Sequence, residues 1–541
     1  MPSRRARPAS STAARHTPDP AAAGRLDLLE PVMSAVEVAA ARLPDLLADL
    51  DPTSVTIALL LPEGEGSAVA SLAPLGELGF DVEELVATHE PKAGEGAVTR
   101  IPFAPGDRPV RRALVVGVGA STADGSGHAH RRAGATLGRV ARGSRDVVLA
   151  VPPRTTPHEL SGLVEGFLLG GWTVPTWRAQ GPTPPAEAQR PATRLLLAAD
   201  ASGAEQLAEA ARRSAIRVRA TLLARCLGLT PSNIKNPAWM AARCRSLARR
   251  HGLTVKVWNE RDLAREGFGG LLAVGGGSAT PPRLVQLEWN PPGPEAGPDP
   301  VHVVLVGKGI TFDTGGLDIK PAEGMLAMKT DMMGSAAVAA TLAACRDLGV
   351  AVRVTGLLAL AENAVSGAAY RPSDVVTHYS GTTVEIGNTD AEGRVVLADA
   401  LAYAVEQLRP DVVVDIATLT GAARVAFARA MAPVFATDDG LRDALIAAGT
   451  AEGETLWPLP LPTAYRAALD SPVADLQQIS GAHGAGSIMA ALFLREFVGQ
   501  TPWAHLDVAG PGRSDVDAGL LAKGPTGFGT RVLLRWLEGL R

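Results

Sequence analysis

The sequence predicts an α/β protein of two α/β domains, the C-terminal one with a mostly parallel central sheet flanked by helices. Three observations predict it. Short apolar runs alternate with helical runs along nearly the whole chain. In the second half those runs are continuously apolar rather than alternating, as strands covered on both faces require. Apolar residues make up 46% and charged residues 20% of the 541-residue chain, which suits large buried cores. A prior of about 150 residues per domain gives three or four domains, or two large ones.

Taken in order, residues 1–25 are rich in Arg, Ala, Ser and Pro, with Asp19 the only acid. They lack the apolar stretch of a secretory signal, so a disordered tail is expected, with an organelle transit peptide as the alternative. Residues 26–202 form the N-terminal α/β domain. It opens with a helix over 27–50, followed by strands at 55–61, 113–119, 146–151 and 194–199. HAHRRAGATLGRVAR (128–142) reads as an amphipathic helix, and the Pro-rich 174–193 as a loop. Residues 203–228 read as a helix connecting the domains. TPSNIKNP (230–237) then breaks it, opening the C-terminal domain over 229–541. Strands there are expected at 253–259, 301–307, 352–360, 412–419 and 504–510, with SAAVAATLAACRDLG and VVLADALAYAVEQL as helices between them. In such sheets the chemistry lies beyond the carboxyl ends of the strands.

A net charge of −4 offers no electrostatic case for nucleic acid or an anionic membrane. Cys226, Cys244 and Cys345 are odd in number and have no CxxC spacing, which argues for a reducing compartment and against a thiolate zinc site. No apolar run reaches the roughly 20 residues of a membrane span. A soluble, cytoplasmic protein is the expectation.

Chemistry-bearing residues gather in GKGITFDTGGLDIKPAEGMLAMKTDMMGSAAV (307–338). Lys308 and Asp313 follow an expected strand end, Gly315-Gly316 permits a tight bend, and Lys320 lies beyond it. Each has an ordinary explanation. Asp331, just before an apolar helical run, reads on position alone as an N-cap. Lys308 and Lys320 read as solvated lysines, and Asp313 as a turn residue. VGGGS (274–278) is a weak phosphate-loop pattern, better read as a strand-to-loop turn, and GxxxxGK[ST] and GxGxxG are absent from 307–338.

NTDAEGR (388–394) changes the balance. Asp390, Glu392 and Arg394 share a direction only in an extended or looped segment, and Gly387 and Gly393 make one easy. The helical VVLADALAYAVEQL follows, so the alternative is a charged loop favouring the helix's positive end. Bringing Asp313, Asp331, Asp390 and Glu392 into one cleft would place four carboxylates together, which repel unless cations neutralise them. Two divalent ions would balance them, and carboxylate oxygens suit Mg, Mn or Zn. Such a pair activates water, while Lys320 and Arg394 add positive charge for a carbonyl and a bound anion. A hydrolase with two metals uses all these residues.

At these residues the chain resembles the leucyl aminopeptidase family, also called cytosol aminopeptidases or M17 metallopeptidases. NTDAEGR matches completely, GKGITFDTGG and the later IK and KTDM segments match at the family's spacing, and DIATLTGA (415–422) and WAHLDVAG (503–510) extend the likeness over roughly residues 229–535. The resemblance implies a C-terminal catalytic domain that removes leucine and other apolar residues from the amino end of peptides. It implies two divalent ions, Mn2+ or Zn2+, bridged by Asp313 and Glu392. Asp390 would complete one site, and Lys308 with Asp331 the other. Lys308 must then be neutral, which asks nearby cations to depress its pKa. Lys320 would polarise the scissile carbonyl, Arg394 would hold a bicarbonate acting as general base, and the substrate's free α-amine would bind a metal. A homohexamer of two trimers is implied as well.

The chain departs from the family at Met333-Gly334-Ser335 and at Gly387, and neither change removes a ligand. Pro511-Gly512 falls in a region shaping the side-chain pocket, so Met328, Thr418, Ala509 and Gly512 are candidates for preference, with Gly512 leaving more room. Rival chemistries find little support. HExxH, HxxEH and GxSxG are missing, and His128-Ala129-His130 reads as a loop leading into a helix. A DNA-binding or scaffold role is the alternative of another class. It rests on Arg4, Arg5 and Arg7 alone, so nucleic acid is not expected.

Overall fold

The computed structural model describes residues 31–540 except 52, 65, 104–109, 111, 121–126, 179–180, 184–185, 293–299 and 481–483. The expected tail over 1–25 lies outside the described residues, as does the start of the helix expected over 27–50.

Val, Leu and Ile runs build the strands because branched side chains pack well on a pleated, doubly covered surface. In the first half these are β1 (Ala35–Ala39), β2 (Val55–Pro62), β3 (Val98–Pro102), β4 (Arg112–Gly119), β5 (Asp146–Ala150) and β6 (Arg194–Ala198). They form one sheet in the order β1-β6-β5-β2-β4-β3, parallel except where β3 runs against β4. β1 is a correction: a strand, then the short helix Leu43–Leu47, stand where a helix over 27–50 was expected. Pairing with β6, distant in sequence, overrides the helical preference of an Ala- and Leu-rich run. Helices α1 (His128–Val140) and α2 (Pro157–Gly171) follow β4 and β5; α1 starts at His128, as the helix expected over 128–142 does, so both histidines are helical and not in the loop leading into it. The Pro-rich 174–193 segment carries a small hairpin of Thr176–Arg178 and Gly181–Thr183.

Helix α3 (Ala204–Leu229) leads to the second half. There the strands are β7 (Thr254–Trp258), β8 (Arg283–Trp289), β9 (His302–Asp313), β10 (Arg353–Asn363), β11 (Val412–Ala417), β12 (Ala432–Ala436), β13 (Leu456–Pro458) and β14 (Trp503–Asp507). The eight-stranded sheet runs β13-β12-β14-β11-β9-β10-β8-β7. Its centre, β14-β11-β9-β10, is parallel, with antiparallel pairings at β12-β14, β10-β8 and β8-β7. Strands β8, β12 and β13 were not foreseen, nor was β3 in the first sheet. Residues 274–278 close the helix Gly269–Gly275, not a strand.

Alternation along β9 sends its side chains into two cores. Val303 and Leu305 pack on the side covered by α3, α4 (Met333–Leu348) and α6 (Thr530–Gly539). Val304 and Val306 pack on the side covered by α5 (Glu392–Tyr403). The carboxyl ends of β9, β10, β11 and β14 therefore open onto one edge, between α4 and α5. Among the described residues, no helix is long and apolar enough to cross a membrane.

Candidate metal centre

Strand β9 does not stop at Gly307, as its apolar run implied; it continues to Asp313, so Lys308 lies within the strand. Its register against β10 shifts between Ile310 and Asp313, an irregularity that re-aims side chains at the strand end. Gly315 and Gly316 then take left-handed φ values of 88° and 65°, turning the chain so that Lys320 comes back over Asp313. Asp331 is not the N-cap of α4. It closes the turn Met328–Thr330, and the cap position falls to Met332, which offers no side-chain bond. Asp390 lies in a turn, but α5 already begins at Glu392, so Glu392 and Arg394 are helical rather than in an extended loop before the helix.

Six predicted residues meet. Lys308 Nζ lies 2.9 Å from Asp331 Oδ2 and 2.7 Å from Glu392 Oε1, and donates to the Thr418 carbonyl at 2.9 Å. Lys320 Nζ lies 2.8 Å from Asp313 Oδ2 and also pairs with Asp390. Asp313, Asp390 and Glu392 each offer a carboxylate oxygen within 4.8 Å of the others. Gly393 makes room for Lys308: a Cβ there would meet the lysine Nζ at 2.7 Å. Arg394 stands deeper, on α5, donating from Nη1 to the Gln478 carbonyl at 2.9 Å.

Charge is poorly balanced here. Four carboxylates face two ammonium groups, and Asp331 and Glu392 are almost fully buried. Burial, followed by the Asp313 charge, pushes Glu392 up to about 8, against the opposing pull of Lys308. Burial likewise raises Asp331 to about 6 and raises Asp390. For Lys308, burial favours the neutral amine, but Asp331, Glu392 and Asp313 outweigh it and raise its pKa. Lysine ligation therefore requires a cation that displaces this proton. Apart from Lys308, Asp331 Oδ2 and Glu392 Oε1 accept no hydrogen bond among the described residues. Under-used carboxylate oxygens converging on one point are what a hard divalent ion needs, so the donor set fits metal. Arg394 Nε is likewise buried without an acceptor, leaving a donor edge for a small anion.

A cavity of about 330 Å³ opens from the carboxylates and is lined by Met328, Thr418 and Ala509, three of the four expected pocket residues. Gly512 stands behind Thr418, where a Cβ would meet the Val508 carbonyl oxygen at 2.6 Å. Three supporting residues escaped the sequence reading. Asn363, at the end of β10, donates from Nδ2 to Asp313 Oδ1 and to the Thr389 carbonyl at 2.9 and 3.0 Å. Asp507, at the end of β14, accepts from the Leu419 and Thr420 amides and from the Thr420 hydroxyl, holding the segment that supplies Thr418. Gln478 accepts from the Gly387 and Asn388 amides and steadies the NTDAEGR turn. The usable signal was a lone polar residue at the carboxyl end of a buried strand.

An α/β fold gathering carboxylates and lysines at the carboxyl edge of its larger sheet fits a metal-dependent enzyme. Comparison with known proteins narrows this. The cytosol aminopeptidase family, catalytic domain, matches residues 222–534. A probable cytosol aminopeptidase of Streptomyces coelicolor is 39% identical over 531 residues, 94% of this chain and 98% of the relative. One of Micrococcus luteus is 43% identical, covering 83% and 88%. Among solved structures, the bottromycin maturation enzyme BotP in complex with Mn is similar at a TM-score of 0.76 and 36% identity, over 90% of this chain and 99% of that one. The chain belongs to the cytosol aminopeptidase family, and membership supports a metal-dependent aminopeptidase.

Proposed function

We propose that the protein removes N-terminal residues, leucine and other apolar ones among them, from peptides using two divalent ions, Mn2+ or Zn2+. The observation that carries this is the under-compensated cluster of four buried or half-buried carboxylates around Lys308 and Lys320. Asp313 and Glu392 would hold both ions, Asp390 one, and Asp331 with a deprotonated Lys308 the other. When bound, the ions supply Lewis-acid polarisation, a water of lowered pKa and a seat for the free α-amine.

The chain's own groups do the rest. Lys320, held at the rim by Asp313 and Asp390, offers an ammonium to the scissile carbonyl oxygen and to the charge that develops there. Arg394 would hold a bicarbonate on its unpaired Nε edge, and that anion would supply a general base. Burial lowers the Arg394 pKa to about 10, which leaves it cationic at neutral pH. Met328, Thr418 and Ala509 receive the first side chain. A homohexamer is part of the proposal. Its support is the exposed apolar Ile319, Leu326 and Val425, each adjacent in sequence to a cavity residue.

Metal-stripped protein assayed on leucine amide, before and after adding Mn2+ or Zn2+, tests the reading. Activity restored only by metal is the expected result. A folded, metal-loaded protein that hydrolyses no aminoacyl amide would move the weight to a binding or scaffold role, with DNA binding measured next.

A further inference from the structure

The lining of the same cavity is not all apolar beyond the carboxylates. Arg424, Arg429 and Arg513 line the cavity, as does Glu323. Arg429 donates from Nε to Asp515 Oδ2 at 2.7 Å and from Nη1 to the carbonyls of Gly510 and Arg513, both at 3.3 Å. Arg513 Nη1 lies 3.2 Å from Asp515 Oδ1. One carboxylate thus serves two guanidinium groups, and the pair keeps an excess positive charge. Arg424, exposed on the helix Gly421–Phe427, adds a third guanidinium with no ion pair among the described residues. Lys329, anchored to the Leu229 carbonyl at 3.0 Å, is close enough to repel Arg513.

The position of these groups matters more than their number. Arg513 directly follows Gly512, which backs Thr418, and it shares the cavity with Met328, Thr418 and Ala509. A side chain resting on those three residues therefore extends toward a guanidinium already fixed on one edge by Asp515. An apolar side chain would cover that guanidinium without pairing it. A carboxylate would accept its free N–H groups in a charge-assisted pair, the geometry for which arginine is suited.

We propose that the cavity also takes peptides whose first residue is acidic, with the side-chain carboxylate of glutamate or aspartate accepted by Arg513. Arg429 and Asp515 act as positioning residues that aim Arg513, and Arg424 supplies a second cation at the mouth. The proposal rests on the aminopeptidase reading above.

The test uses the metal-loaded full chain with the p-nitroanilides of glutamate, leucine and lysine, and the dipeptides Glu-Leu and Leu-Glu. Expected is glutamyl cleavage within about threefold of leucyl cleavage in kcat/KM, with lysyl cleavage more than about tenfold slower. Arg513→Ala should lower glutamyl kcat/KM by about tenfold, through KM, and leave leucyl cleavage within about twofold. Arg513→Lys should restore part of the loss. Leucyl cleavage without glutamyl cleavage in the wild type overturns the proposal and leaves the aminopeptidase reading standing. So does an Arg513→Ala variant that slows both substrates equally, or that slows Leu-Glu while sparing Glu-Leu. No cleavage of any substrate overturns both.

Discussion

Where the helices of the two sheets meet, Arg131, Arg213, Arg217 and Arg531 face Glu165, Glu452, Glu454 and Glu538; the candidate metal centre sets four carboxylates against two lysines. Both clusters are largely buried, yet Glu165 and Glu392, the most enclosed acid of each, shift in opposite directions. Burial alone would raise Glu165, but Arg131, Arg217 and Arg531 hold it down at about 2. Glu392 is pushed up to about 8 because Lys308 and Lys320 do not offset burial and its neighbouring acids. Glu452, in the same junction, is raised to about 7 by burial and by Glu165, with Oε2 left unpaired. Equal numbers of guanidinium and carboxylate groups make a cluster that holds structure together. An excess of carboxylate makes one that awaits cations.

The sharpest way to break the comparison is Glu392→Ala. Removing an expected bridging ligand should cost on the order of a thousandfold or more in kcat/KM while the fold persists, since one buried, uncompensated acid disappears. Activity, bound metal by elemental analysis and circular dichroism check it together. Wild-type activity from a variant that binds no metal would remove the distinction between the clusters.

Glu165→Gln should do the reverse. Three guanidinium groups would lose a shared anion, and breaking a buried pair costs about 3–5 kcal/mol. Thermal melts should show a clear fall in Tm, with kcat per folded molecule within about twofold of wild type. If the melt is unchanged, the junction contributes little and its balance is incidental.

Much of the metal centre was legible because its residues stand near one another in the chain or at ends of strands with strong apolar signals. Lys308 and Asp313 share β9, and Asp390, Glu392 and Arg394 fall together where one turn enters α5. The junction was not legible. Arg131, Glu165 and Arg217 lie on helices, where alternating charge reads as a solvated face, and only tertiary packing buries them. Strand β1 was misread for a related reason, since its ladder partner lies about 160 positions away in the sequence. Asn363 carried a local sign, a lone polar residue at the end of β10, but which ligand it holds was not legible because Asp313 lies 50 residues earlier.

The pH dependence of stability separates the clusters without mutation. Glu392 has an ordinary value of 4.5 and a folded value of about 8 when no metal is bound. Between those values the folded chain keeps a proton that the unfolded chain has lost, so stability falls as pH rises. Glu392 alone should cost the metal-free protein on the order of 3–4 kcal/mol between pH 5 and 8. Metal occupying the carboxylates should abolish that share of the slope. Glu452 contributes in the same direction with or without metal, so the difference between melts in chelator and in Mn2+ isolates the centre. Glu165 runs the other way: its contribution is present above pH 4.5 and is lost as pH falls toward 2. Parallel slopes in chelator and Mn2+ would mean that Glu392 carries no excess proton to displace.

The smallest effect tests whether the centre is held from outside its ligands. Asn363 donates to Asp313 Oδ1, and the Gly315 amide donates to the same oxygen at 2.9 Å. Together they turn Oδ2 toward Lys320 and the other carboxylates. Asn363→Ala removes one of the two donors and keeps the other, so Asp313 should remain in place but with a wider range of orientations. Losses of 10–100-fold are typical when a partner of a metal ligand is removed, and with the Gly315 amide retained the lower end, about tenfold in Mn2+ affinity, is expected. Metal titration monitored by activity reads this directly: the half-saturating Mn2+ concentration should rise while kcat at saturating metal stays close to wild type. A fall in kcat at unchanged affinity would instead assign Asn363 to the reacting groups.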